Sequence, residues 1–340
     1  MAVAPTEPFV RLVEPSVLDP YSTGSPRYVT VADADALLSS VENHCRRGRR
    51  SRILRLATSG TTRVFLEDHV YGEAYRGLPK LARSSPVPES TLRACFEDEY
   101  LPALTWVQRD SDILSDPRVG LVTDETDVPT AELASLIAPC VVLSGDRHLR
   151  VPGIAAEDWR AVAGHGTDVD RAVGEQQGIV MVVGSPALVV VAGVNLGERV
   201  GVPWWVTLLF MGFGAAAVAR SPERRRWIGK KAMPVIEMIS QLMTEAQARE
   251  LASVQELKEA MFQAPAPPSL KQEVATVLAR SRDPLLAKEV QELIATHFSE
   301  AYVPTIAETR SVLRDSTEFR LVERYRWRLG RRAGPWCARS

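Results

Sequence analysis

The chain has 340 residues, with 41 Lys+Arg against 42 Asp+Glu. That length exceeds one ordinary domain, and the near-cancelled charge excludes a protein that holds polyanions by net charge alone. Cys45, Cys95, Cys140 and Cys337 are scattered, with no C-x-x-C pair and no histidine at metal-ligand spacing, which reads as neutral thiols in a reducing compartment.

Residues 1–27 read as an extended lead-in, and Met1–Pro8 lacks the basic-then-apolar pattern of a secretory signal. From Tyr28 the pattern turns α/β. Tyr28–Ala32 is a β-branched run and Ala36–Val41 starts a helix. The basic patch Arg46-Arg47-Gly48-Arg49-Arg50-Ser51-Arg52 follows. Thr62–Leu66 reads as a strand, His69–Leu78 as a helix, and Leu92–Val107 as helical throughout. Gly120–Thr123 reads as a strand, Pro129–Ile137 as a helix, Cys140–Ser144 as a strand, and Trp159 as the close of a short helix. Alternating strands and helices over 28–172 argue for a small, doubly wound parallel sheet covered on both faces.

Two nearly unbroken apolar runs follow, Gly178–Val194 and Val202–Ala219, divided by a short polar break. Each approaches the length of a membrane-spanning helix. Trp204 and Trp205 stand where an interfacial belt would lie, and Arg220, Arg224, Arg225, Arg226, Lys230 and Lys231 follow at once. The expectation is a transmembrane helical hairpin over 178–219 that leaves both flanking domains on the cytoplasmic side. Residues 220–268 read as a basic flank, two helices (Met233–Met243 and Glu245–Phe262) and a stiff Pro-rich linker. Residues 269–332 then give three helices and a terminal hairpin, a winged-helix-like α+β order. Its last part carries Arg310, Arg314, Arg320, Arg324, Arg326, Arg328, Arg331 and Arg332. In that arrangement the third helix enters a groove and Arg324, Arg326 and Arg328 reach phosphates, so a nucleic acid or a protein is the expected partner there.

Four acids stand out of this pattern: Asp33 in V-T-V-A-D-A-D-A-L-L, Glu73 in H-V-Y-G-E-A-Y-R-G-L, Asp127 in V-T-D-E-T-D-V-P-T-A-E-L-A and Asp146 in V-V-L-S-G-D-R-H-L. Carboxylates at strand ends of an α/β sheet converge at one edge. Without a cation they repel. Mg²⁺ or Mn²⁺ relieves the repulsion and activates water for phosphodiester cleavage. Glu67 and Asp68 compete with Glu73 for the helix position, and Asp124 with Asp127. His44, His69, His148 and His165 have no spaced partner and read as solvated or hydrogen-bonded side chains.

In their order, these four motifs over 28–172 resemble the PIN-domain nucleases, metal-dependent ribonucleases with a small doubly wound sheet. The resemblance implies that Asp33, Glu73, Asp127 and Asp146 bind one or two Mg²⁺ or Mn²⁺ ions and carry catalysis. Asp35 stands where a second polar residue is usual, and Ser144 stands where a small polar residue would orient a metal-bound water. Arg47, Arg49 and Arg50 would guide RNA phosphates to the site. The implied whole is a membrane-tethered endoribonuclease. The alternative is a catalytically idle PIN-like regulator that binds nucleic acid or a partner through residues 269–332. A homodimer is compatible with either.

Overall fold

A computed structural model describes residues 28–109, 116–184, 222–265, 267–298 and 302–332. In chain order, β1 (Tyr28–Ala32) leads into α1 (Ala34–Arg47), α2 (Arg52–Thr58), β2 (Thr62–Glu67) and α3 (Asp68–Ser84). Next comes α4 (Glu89–Cys95), continued by a π-helical turn at Phe96–Tyr100 and a further turn at Leu101–Ala103. β3 (Thr105–Val107), α5 (Val128–Ile137), β4 (Cys140–Leu143), α6 (Arg147–Arg150) and α7 (Trp159–Gly184) follow. After residue 221 come α8 (Pro222–Glu259), β5 (Met261–Phe262), α9 (Leu270–Ala279), β6 (Leu285–Leu286), α10 (Ala287–His297), α11 (Ile306–Asp315), β7 (Phe319–Glu323), β8 (Arg326–Leu329) and β9 (Arg331–Arg332).

The main sheet has the order β5-β4-β1-β2-β3-β9. Its four inner strands are parallel, with Val31 opposite both Phe65 and Val142, and Phe65 opposite Thr105. β1 and β4 are buried at every position. Strands covered on both faces carry continuous apolar runs, which is how Y-V-T-V-A and C-V-V-L read. The chain builds β1, β2 and β3 outward and then crosses to the far side of β1 to lay down β4. The strand order therefore reverses between β1 and β4, the place where open α/β sheets bind ligands. β5 and β9 close the two edges antiparallel. The mixed α/β class with a parallel-rich sheet is thus as the pattern implies.

Several elements differ from the expectation. Thr105–Val107 is a strand, not the end of a helix: all three residues are buried, and their β-branched and aromatic side chains suit a pleated surface. Gly120–Thr123 forms no strand. Val119–Leu121 is a 3₁₀ turn whose Leu121 is 64% exposed, so no sheet face covers it. Trp159 opens a helix instead of closing one. The two helices expected before the Pro-rich segment are one, α8, and Met261–Phe262 is the edge strand β5.

The chain forms two compact units, one of residues up to Asp170 together with those from Val254 onward, the other Arg171–Ser253. Within the second, Arg249 pairs with Glu175 at 2.7 Å. The runs Gly178–Val194 and Val202–Ala219 fall largely on residues 185–221, so the expected membrane hairpin lies outside the described residues. Among the described residues, no helix is long and apolar enough to cross a membrane.

The sequence divides 28–172 from 269–332 at a stiff linker, whereas the structure packs both into the first unit. Val274 to Ala279 are all buried, which needs partners on more than one side of α9. α10 and α11 supply one side and α5 another. Gln272 Nε2 donates to Ser135 O at 3.0 Å and Thr276 Oγ1 to Ala138 O at 2.9 Å. The Arg63 guanidinium, reaching from β2, donates to Leu278 O and Ala279 O at 2.9 and 3.2 Å and caps the C-terminus of α9. Burial, with Arg328, Arg332 and Arg282 nearby, lowers its pKa to about 9. One apolar core runs from Val29 and Val142 through Ala275 to Leu313 and Leu329. After α9 come β6, α10, α11 and the β7–β8 hairpin, and the small sheet has the order β6-β8-β7.

Candidate active site

The acids are placed by the ends of the elements that carry them. Asp33 follows β1 and caps α1, its Oδ1 accepting from the Ala34 N–H at 2.7 Å. Ser144 follows β4, on the other side of the strand-order reversal. Its hydroxyl donates to Asp33 Oδ2 at 2.9 Å and accepts from the Asp146 N–H at 3.0 Å. Asp146 in turn caps α6, with Oδ1 accepting from the His148 N–H at 2.7 Å. Ser144 is thus the pin that joins Asp33 to Asp146 across the switch point. It is fully buried, so the expected role of orienting a bound water or substrate gives way to positioning the two acids.

Asp127 sits at the N-cap of α5, yet its side chain makes no capping hydrogen bond. Pro129, at the second helical position, has no N–H to offer. The residue is 8% exposed and its Oδ2 is buried without a hydrogen-bond partner. An orphaned buried carboxylate oxygen costs desolvation energy and calls for a ligand or a function. Burial, then the charges of Asp33, Asp146, Asp124 and Glu73, push Asp127 up to about 7. Burial outweighs the Ser144 and Ala34 hydrogen bonds at Asp33, and with the Glu73 charge it raises that group to about 6. These mutual repulsions place Asp33, Glu73, Asp127 and Asp146 in one electrostatic cluster at the C-terminal edge of the sheet.

The competing acids are committed to other partners, although the Asp124 charge also reaches Asp127. Glu67 caps α3 and bonds His69, and Asp68 pairs with Arg331. Glu73 is the α3 acid whose charge reaches Asp33 and Asp127. Asp124 is spent on an exposed turn, accepting from Thr126 N and Oγ1 at 2.9 and 2.7 Å. Asp35, in the first turn of α1, is exposed beside Gly145, where an added Cβ would collide with its carboxylate.

The sequence pattern does not single out His69. Its Nδ1 bonds Glu67 Oε2, and it lies one helical turn before Glu73. Burial works against its cation, but the Glu67 bond and the charges of Glu67, Glu73 and Asp33 prevail and raise its pKa. The only signal in the sequence is the H-x-x-x-E spacing, which puts both side chains on one helix face. The basic patch goes the other way. Arg47 ends α1 and Asp33 caps its start; 14 helical residues span about 20 Å. Arg47, Arg49 and Arg50 are exposed at the end of α1 remote from the acids and are not brought to them.

The donor set suits a hard divalent cation, being all carboxylate oxygen with one buried oxygen unpartnered. No three of the acids bring ligand atoms within 4.8 Å of one another; among the described residues, the group that does so is His44, Cys95 and Glu99.

Because Asp33 and Asp127 titrate near 6 and 7 when folded but near 3.8 when unfolded, the folded state binds more protons between those values. Their contribution to stability is therefore fully present below pH 4 and is lost as pH rises through 6 to 7. A tenfold change in proton affinity is worth about 1.4 kcal/mol, so the loss is a few kcal/mol. Thermal melts at pH 5 and pH 8 are expected to show the fall in chelator, and excess Mg²⁺ is expected to remove most of it.

No family model matches this sequence, and no similarity to a curated protein or to a solved structure is detected.

Proposed function

We propose that the protein is a PIN-type, divalent-metal-dependent endoribonuclease whose site is Asp33, Glu73, Asp127 and Asp146. The observation that carries this reading is the unpartnered, buried Asp127 Oδ2 within an acid cluster at the switch point of a parallel sheet. Mg²⁺ or Mn²⁺ held by these carboxylates would supply charge neutralisation and an activated water for phosphodiester hydrolysis. The chain's own part is positional. Ser144 fixes Asp33 and Asp146 relative to each other. Asp127 keeps its carboxylate uncommitted, and Pro129 at the second helical position offers it no N–H to cap. His69, bonded to Glu67 and within electrostatic reach of Glu73 and Asp33, would add positive charge near the acids for a phosphate. Cleavage of single-stranded RNA by the full chain in Mn²⁺, lost in chelator and in Asp127→Asn, tests the reading. Intact RNA in saturating Mn²⁺ would refute it.

A second reading, nucleic-acid binding by residues 269–332, is favoured by the winged-helix-like element order and by exposed Arg310 and Arg314 on α11 and Arg324 at the hairpin tip. Arg326 is instead engaged with Pro284 O and Glu289, and Arg328 is half-buried. Both readings place RNA or DNA at the protein. Membrane tethering through 178–219 rests on the apolar runs of the sequence.

A further inference from the structure

A second cluster lies at the other end of α1. His44 and Cys45 are adjacent in its last turn, before Gly48 ends the helix in the left-handed region at φ 60°. Across from them, Cys95 ends α4, and Glu99 sits four residues on in the π-helical turn. A spacing of four stacks two side chains on one face. Cys95 Sγ lies 3.5 Å from His44 Nδ1, and Glu99 Oε1 lies 3.5 Å from His44 Nε2. The Cys45 thiol, which donates to Thr91 O at 3.9 Å, lies close enough to that of Cys95 for the two to interact. One ligand atom each from His44, Cys95 and Glu99 fits within 4.8 Å.

We infer that His44, Cys95 and Glu99, joined on loading by Cys45 in place of its Thr91 contact, form a structural site for Zn²⁺, separate from the acid cluster. Two sulfurs, one imidazole nitrogen and one carboxylate oxygen make a four-coordinate donor set of the kind zinc takes. The spacing agrees with it. Around a tetrahedral zinc with bonds of about 2.3 Å to sulfur and about 2.0 Å to nitrogen, those two ligands stand about 3.5 Å apart. Cys95 Sγ and His44 Nδ1 already stand at that separation in a direct hydrogen bond, which zinc at Nδ1 would replace, with Glu99 turning from Nε2 to join it. Magnesium and manganese, which prefer oxygen, have no such preference for this set.

The frame is held independently of any ion. The buried Tyr100 hydroxyl, one residue past Glu99, donates to Ser40 O in α1 at 2.9 Å and accepts from Ser51 Oγ at 2.6 Å. Its ring stands 6.0 Å from that of His44. The π-helical turn widens the backbone at the point that delivers Glu99, and such turns recur at functional positions. Glu99, with its side chain 40% exposed, gives the cation a way in, while the His44 side chain is 11% exposed and shields it. Loading displaces the two thiol protons to solvent and changes no oxidation state. Zinc there would clasp the end of α1 to the end of α4, about 15 Å along α1 from Asp33.

The test uses the full chain, stripped with chelator under reductant, in a Cys140→Ser/Cys337→Ser background so that any thiolate signal comes from Cys45 and Cys95. With Zn²⁺ alone, one equivalent is expected to survive gel filtration, and Co²⁺ is expected to give thiolate charge-transfer absorption. Cys95→Ser and His44→Ala are each expected to weaken retention by more than about 100-fold, beyond the loss typical of an outer-shell change. Asp127→Asn is expected to leave retention unchanged. Should the ligand variants fail to fold, the Co²⁺ spectrum of the background protein decides. The inference is overturned by a folded protein without that absorption, by retention undiminished in folded Cys95→Ser, or by a Cys45–Cys95 disulfide persisting in reductant.

Discussion

Asp127→Asn is expected to abolish metal-dependent RNA cleavage while making the metal-free protein more stable at pH 8. Both effects come from one side chain. Asp127 is the most strongly raised acid of the cluster, pushed to about 7 by burial and by four neighbouring carboxylates, and its Oδ2 has no protein partner. The amide keeps the shape and removes the charge. Relief of buried repulsion is expected to add about 1–3 kcal/mol above pH 7, the size that proton linkage assigns to a carboxyl raised this far. Loss of a charge that supports the reacting centre is expected to lower kcat by at least about 10²–10³. Thermal melts and single-turnover cleavage on the same preparation separate this from damage to the fold, which would lower both. Below pH 4 the stability gain is expected to vanish, because Asp127 is then protonated in both the folded and the unfolded chain.

The second large effect concerns the frame. Gly330→Ala is expected to destabilise the protein by about 2–4 kcal/mol, combining a left-handed backbone cost with steric overpacking. Gly330 has φ 65°, and an added Cβ would strike the Trp106 carbonyl oxygen and come within 2.9 Å of Val107 and 3.1 Å of Thr105. Those atoms belong to β3, whose edge β9 covers. The backbone oxygen cannot swing away as a side chain could. Urea unfolding that shows one cooperative transition, shifted to lower denaturant, is the expected readout. A change below about 0.5 kcal/mol, the usual size for an uninvolved surface position, would mean that residues 269–332 are not built into the sheet as described.

Where the local pattern and the packing agree, the sequence was legible. β1 and β4 are near-continuous apolar runs because parallel central strands are covered on both faces, and these two and β2 lie where the pattern put them. The places of Asp33 after β1, Glu73 in α3, Asp127 before α5 and Asp146 after β4 follow from the same elements. Thr105–Val107 was not, because its apolar residues continue the helical spacing of the preceding turn, and only the open edge of β2 selects a strand. The union of 269–332 with the first half was hidden for a similar reason. A Pro-rich segment looks like a spacer, but β5, just before it, pairs with β4, and Ala264 is buried. Nothing in the local pattern around Arg63 points to its carbonyl partners in α9. The His44–Cys95–Glu99 cluster joins residues about fifty positions apart, and no local spacing rule finds it. His69 is easily passed over because its partner Glu67 belongs to the strand end before it.

The switch-point acids are proposed to form a cation-dependent site that cleaves RNA. The most direct test is a Mn²⁺ titration of labelled single-stranded RNA cleavage by the full chain, run beside Asp127→Asn. Cleavage is expected to rise with Mn²⁺, to stop in chelator, and to fall at least about 10²-fold in the variant. No cleavage at saturating Mn²⁺, or equal cleavage by both proteins, would contradict the account.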